Sequence, residues 1–353
     1  MAWTKSPDQD FSCDGRGWPK SKLRRYSERE ETRVLEIYHE LADDPEEYFN
    51  GASAILQHYR RRYPGAPSLS LRFIGRTLAK HNLTQAPRRR QPGASRYLHY
   101  PEHSLLQLGE SLLEVDFIGK KFITGRSEPV NFIAFSLRFP RKLKYFQRIA
   151  AESADEVIGH CQDFFQRFEK PQVVKMDNGF AFAGASRWPR TVSKVVIFLL
   201  KEQVTPVFTA PRKPWNQASV EGANSIFARK FWRRFQFTSL EEIDEKLESF
   251  NRAYQHYLSY SPPRSDTSAS RNAFVPKLYF IRKVYEQPDI RNAYIEVAKE
   301  YIPLPCDYIN LFVLAEWNLV KEQLIIYLEN DLQLRAIYKC RFKLNSKSKR
   351  KVF

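Results

Sequence analysis

The feature that most constrains this chain is the alternation of short apolar runs with amphipathic stretches between Ser111 and about Tyr260. SLLEVDFIG, PVNFIAFSL and LKYFQRIA come first and predict three short strands in an antiparallel meander. SADEVIGHCQDFFQRFEK follows with a helical period. Val157, Cys161, Phe164, Phe165 and Phe168 line its core side, Ser153 is placed to cap it, and Glu156 completes a capping box. PQVVKMDNGFAF predicts a buried strand, TVSKVVIFLLKEQ a helix and VTPVFT a fifth strand. APRKPWNQASVEGANSIFARKFWRRF then predicts a turn leading into a helix with an apolar stripe of Val220, Ala223, Phe227 and Phe231. Strands alternating with helices in this way call for an α/β layer architecture.

Three strands, a helix, a strand, a helix, a strand and a helix match a ribonuclease-H-like core. Three carboxylates fall at strategic places in it: Asp116 on the first strand, Asp177 at the end of the fourth, and Glu221 in the first turn of the last helix. Glu221, Asn224 and Ser225 share the face beside the apolar stripe, open toward the strand ends. Phosphoryl transfer assisted by two divalent metals needs such a set, because hard oxygen-ligated cations are held by a few carboxylates and completed by water and phosphate. Carboxylates gathered without a cation would push one another's pKa up. Each acid also has a plainer reading. DNG after a strand is a hairpin-turn signal, Glu221 suits any helix N-terminus, and Asp116 could be an ordinary strand-edge aspartate. The specificity lies in the ordered set.

The stretch from Leu112 to about Tyr260 resembles the integrase catalytic core of retroviral-type transposases, the DDE superfamily. LLEVDFIG with Asp116, VVKMDNGFAFAG with Asp177 and PRKPWNQASVEGANSIF with Glu221 carry the resemblance, and SLSLRFIGRTLAKHNLTQAPRRR is similar to the end of the helix-turn-helix that precedes this core in insertion-sequence transposases. The resemblance implies that Asp116, Asp177 and Glu221 ligate Mg²⁺ or Mn²⁺, two ions in all, and that water and then a DNA 3′-hydroxyl attack phosphodiesters at element ends and target. It also implies a homodimer or higher assembly on double-stranded DNA. Two departures stand out. Gln217-Ala218 replaces a frequent Asn-Gly pair, and GASRWPRTVSK lengthens the Asp177–Glu221 separation. No zinc-binding N-terminal domain of the retroviral kind is expected.

The charge distribution fits that picture. The chain has 57 Lys and Arg against 40 Asp and Glu, a net charge of +17, which points to a polyanionic partner. Residues 1–100 hold 18 basic and 12 acidic residues, 101–340 hold 33 and 28, and the last thirteen hold six and none. From Tyr48 to Pro101 there is no acid. Three helical patterns occupy the region from Tyr26 to Leu83. The first has Ser27 as N-cap, Glu30 closing a capping box, and a face of Val34, Leu35, Tyr38 and Leu41. The second is expected from Pro45, with Glu46 and Glu47 in its first turn and Phe49, Ala52, Leu56 and Tyr59 as its stripe. The third has a buried stripe of Leu71, Ile74 and Leu78, with Arg72, Arg76 and Lys80 on another face and Asn82 suited to a left-handed C′ position. This is the layout of a helix-turn-helix domain, followed by a linker in which Arg88, Arg89 and Arg90 could track a phosphate backbone; an ordinary amphipathic helix with a solvated basic face is the plainer alternative. Arg212, Lys213, Arg229 and Lys230 flank Glu221 in sequence and could hold DNA phosphates, or be surface charge. Trp215 is expected as a packing anchor.

The expected organisation is multidomain: a tail (1–24), an α-helical helix-turn-helix domain (25–90), a linker (91–110), an α/β ribonuclease-H-like catalytic core (111–260), a linker (261–278), a small all-β barrel (279–343) and a basic, disordered tail (344–353). AYIEVAKEYIPLP, DYINLFVLAEW, EQLIIYLEN and LRAIYKCRF supply the barrel strands, with ENDL as a hairpin turn. Other classes are disfavoured. No apolar run approaches the ~18 residues of a membrane span, the N-terminus lacks the layout of a signal peptide, and four scattered cysteines suit neither a disulfide framework nor, even with His99 and His103, a zinc clip. A cytoplasmic, nucleoid-associated enzyme without a membrane partner is expected. The rival readings are a catalytically idle, transposase-derived DNA-binding protein and a simple nuclease on the same fold.

Overall fold

The computed structural model describes residues 26–84, 100–212, 217–261, 274–287 and 292–352. Arg88–Arg90, Lys213, Trp215 and His99 lie outside them. The chain divides into two compact units, Met1–Arg88 and Arg89–Phe353.

In the first unit α1 (Glu28–Asp43), α2 (Ala52–Arg62) and α3 (Leu71–Lys80) each pack on the other two around Val34, Ile37, Leu41, Ile55, Tyr59, Ile74 and Leu78. The Ser27 N–H and hydroxyl both donate to Glu30, the N–H at 2.8 Å, as the capping pattern predicts. The second helix starts later than expected. Asp44 accepts the Glu46 N–H at 2.8 Å, a local turn that competes with helix, and α2 begins only after Gly51. Leu71 at the start of α3 is 49 % exposed, so the buried stripe is Ile74, Thr77 and Leu78. Asn82 sits in the left-handed region, φ 56°, where its side chain is tolerated.

The second unit runs α4 (Glu102–Leu106), β1 (Leu112–Lys121), β2 (Val130–Phe139), β3 (Leu143–Ile149), α5 (Ala154–Arg167), β4 (Val173–Met176), α6 (Phe180–Ala183), α7 (Lys194–Lys201), β5 (Thr205–Phe208) and α8 (Ala218–Phe227). A π-helical turn (Ala228–Trp232) leads toward α9 (Leu240–Tyr257). Then come β6 (Lys277–Lys283), β7 (Tyr285–Gln287), β8 (Asn292–Val297), β9 (Glu300–Leu304), β10 (Phe312–Asn318), β11 (Gln323–Asn330), β12 (Gln333–Arg341) and α10 (Ser346–Val352). β1 to β3 form the predicted antiparallel meander, and β4 and β5 add in parallel on the other side of β1, giving the order 3-2-1-4-5. This mixed α/β layer, with a large central sheet and helices on both faces, is consistent with a ribonuclease-H-like core. Leu113 and Val115 face Phe164 and Val196 of α5 and α7 in one core, while Phe132 and Phe146 stack on Phe227 and Phe250 of α8 and α9 on the opposite face. Alternation along β1 therefore turns Glu114 and Asp116 toward α8.

The C-terminal strands correct the expectation of a free-standing barrel. β6, within reach of the expected linker, pairs in parallel with β5, and β10, β11 and β12 continue antiparallel to make one nine-stranded sheet. Phe280 stacks on Phe208 at 5.3 Å, so the apolar side of β6 covers what would be an open edge of β5. β7, β8 and β9 form a separate three-stranded sheet. Ala298 and Lys299, both at positive φ, turn β8 into β9, which is why AYIEVAKEYIPLP is two strands. The ENDL turn forms as expected, with Asp331 and Leu332 both left-handed. The basic tail includes α10, and Lys349 pairs with Glu322 at 2.9 Å. Among the described residues no helix is long and apolar enough to cross a membrane.

Candidate active site

The three acids singled out from sequence line one cavity of about 350 Å³, together with Asn178, Thr209, Ala210, Pro211, Arg212 and Gln217. Each arrives on a different element. Asp116 sits on β1 past the last β1–β4 pair, Glu114↔Lys175, where the two parallel strands part. Asp177 directly follows β4, so its backbone ends the strand as its side chain enters the opening. DNG makes no hairpin here. Asp177 Oδ1 accepts the Gly179 N–H at 2.8 Å and Gly179 starts α6, so the chain crosses over instead of folding back. A Cβ on Gly179 would lie 3.0 Å from Asp177 Oδ1, which explains the glycine. Glu221 is in the first turn of α8, with Val220, Ala223 and Phe227 buried behind it. Gln217 and Ala218 reach the helix with negative φ at Gln217, so no Asn-Gly turn is needed.

Burial is the main electrostatic fact of the site. It raises all three carboxyls above their ordinary values. Asp116 is pushed up to about 7, first by burial, then by the charges of Asp177 and Glu221. Asn224, one turn beyond Glu221 on α8, donates to Asp116 Oδ2 at 3.1 Å, while its own Oδ1 is buried without a hydrogen-bond partner among the described residues. Among those residues no group of three or more His, Cys, Asp or Glu side chains is placed so that it could hold a metal ion. The donor set nevertheless has the chemistry a hard cation takes: three carboxylates lining one cavity, with Asp116 bonded to the Asn224 amide.

A buried layer supports these groups. Gln217 spans the gap between β1 and β4, its amide nitrogen 3.4 Å from the carbonyls of both Val115 and Lys175. Asn178 donates to the Thr209 carbonyl at 2.7 Å and accepts from Arg282 at 2.9 Å. Arg282, on β6, also donates to the carbonyls of Thr209, Ile281 and Glu296. Glu114 accepts the Val220 N–H at 3.0 Å and lies 3.4 Å from both Lys175 and Arg138. Asn224 was within reach of the sequence reading, since it shares a helical face with Glu221. Arg282 was not, because it lies in the segment read as a separate barrel.

The predicted DNA-contacting residues divide. Arg212 lines the carboxylate cavity at φ 56°. Lys230, on the π-helical turn, is half-buried, with its pKa lowered by burial and by Arg234 and Arg229; it does not line that cavity. In the first unit Arg72, Arg76 and Lys80 are all exposed on α3, and Lys80 is paired with Glu31 at 2.6 Å. A wider cavity of about 530 Å³ between β3, α5 and α9 includes Arg148, Asp244 and Asn251. Those groups are committed to partners, Arg148 to Asp244 at 2.5 Å and Asn251 to the Phe146 backbone, and none of the three acids lines it.

No protein-family model and no curated protein matches the sequence. Among solved structures, the chain is similar to a chain of the simian T-cell lymphotropic virus intasome in complex with PP2A regulatory subunit B56 gamma, at 11 % identity, over 88 % of this chain and 98 % of that one, with a TM-score of 0.36. It is also similar to the catalytic core domain of BIV integrase, at 16 % identity over 42 % of this chain and 82 % of that one, TM-score 0.30. The HTLV-2 integrase catalytic core domain in complex with magnesium matches at 15 % identity over 42 % and 84 %, TM-score 0.30. These scores are low, and the fold described above rests on its own strand order and register.

Proposed function

We propose that the chain is a DNA transposase or integrase, a polynucleotidyl transferase that uses Mg²⁺ or Mn²⁺ to cut and join DNA strands at mobile-element ends. One observation carries the reading: Asp116, Asp177 and Glu221, from three separate elements, line a single cavity. The three carboxylates would hold two ions, which when bound supply charge neutralisation for the attacking and leaving oxygens of an in-line displacement. The chain's own groups do the rest. Asn224 keeps Asp116 oriented, the Gly179 N–H fixes Asp177, and Arg212 at the cavity wall offers a guanidinium to a backbone phosphate. Partial burial of Asp116 and Asp177 reduces the screening of their charges by bulk water.

In the same reading the three-helix unit is a helix-turn-helix domain that grips double-stranded DNA through exposed Arg72 and Arg76 on α3, helped by Arg88, Arg89 and Arg90 and, flanking Glu221 in sequence, by Lys213 and Lys230. Lys80 is partly spent on Glu31. Joining two DNA ends calls for at least a homodimer. The test is an assay of labelled element-end DNA with Mg²⁺, comparing wild type with Asp116→Ala, Asp177→Ala and Glu221→Ala. We expect strand-transfer products from wild type and a loss of about a hundred- to a thousandfold in each variant, the scale on which removing a group essential to transition-state stabilisation acts. Full activity in all three sinks the assignment, and nicks without joined products leave a nuclease.

A further inference from the structure

Glu114 has no place in the chemistry above, and its surroundings are unusual. Its side chain is completely buried, two residues before Asp116 on the same face of β1. It faces Lys175, 1 % exposed on β4, at 3.4 Å, and Arg138 on β2 at 3.4 Å. Its other oxygen accepts the N–H of Val220, the residue before Glu221, at 3.0 Å. Lys144 reinforces the same point: its ammonium donates to the Ser219 carbonyl at 3.1 Å and to the Ser219 hydroxyl at 2.6 Å, and also to Ser136. The start of α8 is thus fastened to the strand of Asp116 by charged groups deep in the protein.

A buried ion pair is a poor device for stability alone, since desolvation offsets much of the attraction and an apolar pair of similar volume often does as well. What an apolar pair cannot do is accept an orphan N–H in the first turn of a helix and so fix its height along the strand. Because side chains of α8 project from the backbone that this hydrogen bond locates, an error of about 1 Å there moves Glu221 relative to Asp116 by a similar amount, which active sites tolerate poorly. We infer that Glu114 is a positioning residue: it sets the helix bearing Glu221 against the strand bearing Asp116, with Lys175 and Arg138 present to hold its carboxylate in place. This rests on the metal-site reading of the three acids.

Two paired variants separate positioning from charge. Glu114→Gln with Lys175→Met removes both buried charges but leaves an amide oxygen to accept the Val220 N–H. Glu114→Leu with Lys175→Met removes the acceptor as well. Mn²⁺ binding by calorimetry, thermal melting and Mg²⁺-dependent cleavage are measured on the full chain. We expect the two proteins to melt within a few degrees of each other. The Gln pair should keep Mn²⁺ half-saturation within about threefold of wild type, while in the Leu pair it rises at least about tenfold, with kcat reduced and KM for DNA unchanged. A Leu pair that binds Mn²⁺ like wild type overturns the inference. So does one that melts far below the Gln pair, which would make Glu114 a stability residue, and so does a folded Gln pair that fails to bind. A wild type that binds no Mn²⁺ at these acids sinks the metal-site reading itself, a distinct outcome.

Discussion

In the N-terminal unit, residues 26–84, the ion pairs Arg62–Glu40 and Lys80–Glu31 lie at the surface, and Arg72 and Arg76 point to solvent. In the second unit Glu114, Lys175 and Arg282 are buried, and each touches an element that carries or flanks an active-site acid. Exposed charge acts at a distance and is screened by salt. Buried charge is screened much less and must be paired; it holds geometry, at a desolvation cost that only a fixed arrangement of partners offsets. The same residue types therefore stay open to solvent in one unit and hold elements in alignment in the other.

The comparison breaks first at Arg282. Arg282→Met would leave the Asn178 side-chain oxygen without its Arg282 donor and the Glu296 carbonyl without its side-chain donor, while the Thr209 carbonyl keeps the Asn178 amide alone. We expect a loss on the order of 3–5 kcal/mol of stability in the second unit by denaturant titration, given the usual cost of stranded buried acceptors. A loss comparable to that of a surface arginine would show that the C-terminal strands do not brace the loop after Asp177. The smallest effect belongs to the first unit. Arg72→Ala with Arg76→Ala should leave melting unchanged, weaken DNA binding about tenfold in 100 mM salt, and lower the slope of log affinity against log salt by about 2, as for two lost phosphate contacts. An unchanged slope would assign α3 to packing alone.

Much of this was legible in the sequence, and the gaps have physical causes. Asp116, Asp177 and Glu221 were visible because strand and helix periods place them on the first strand, at the end of the fourth and in the first turn of α8, and the β1–β3 meander follows from local patterns, whereas the order 3-2-1-4-5 is a tertiary fact. The hairpin signal in DNG was overridden by β4 pairing in parallel with both β1 and β5, which leaves Asp177 no antiparallel partner to turn toward. Strand periodicity showed β10, β11 and β12 but not what they pair with, since register and neighbour are tertiary facts; hence a barrel was expected where β6 extends the sheet. Glu114 was hidden for a related reason. Alternation puts it on the face of Asp116, but only the fold brings Lys175 and the Val220 N–H to it.

The central claim is that three carboxylates on three elements, Asp116 and Asp177 half-buried and Glu221 exposed, make one divalent-ion site, and proton competition tests it most directly. Asp116 is raised to about 7 in the folded chain, so without an ion the folded state holds the extra proton from the ordinary carboxylate range up to about pH 7, and its stability falls as pH rises through that window. An ion must displace that proton. Calorimetric Mn²⁺ titrations of wild type should therefore give saturable binding at pH 8, weaker by about tenfold for each pH unit below 7, and none in Asp177→Asn at either pH. Equal binding by wild type and Asp177→Asn, indifferent to pH between 6 and 8, would contradict it.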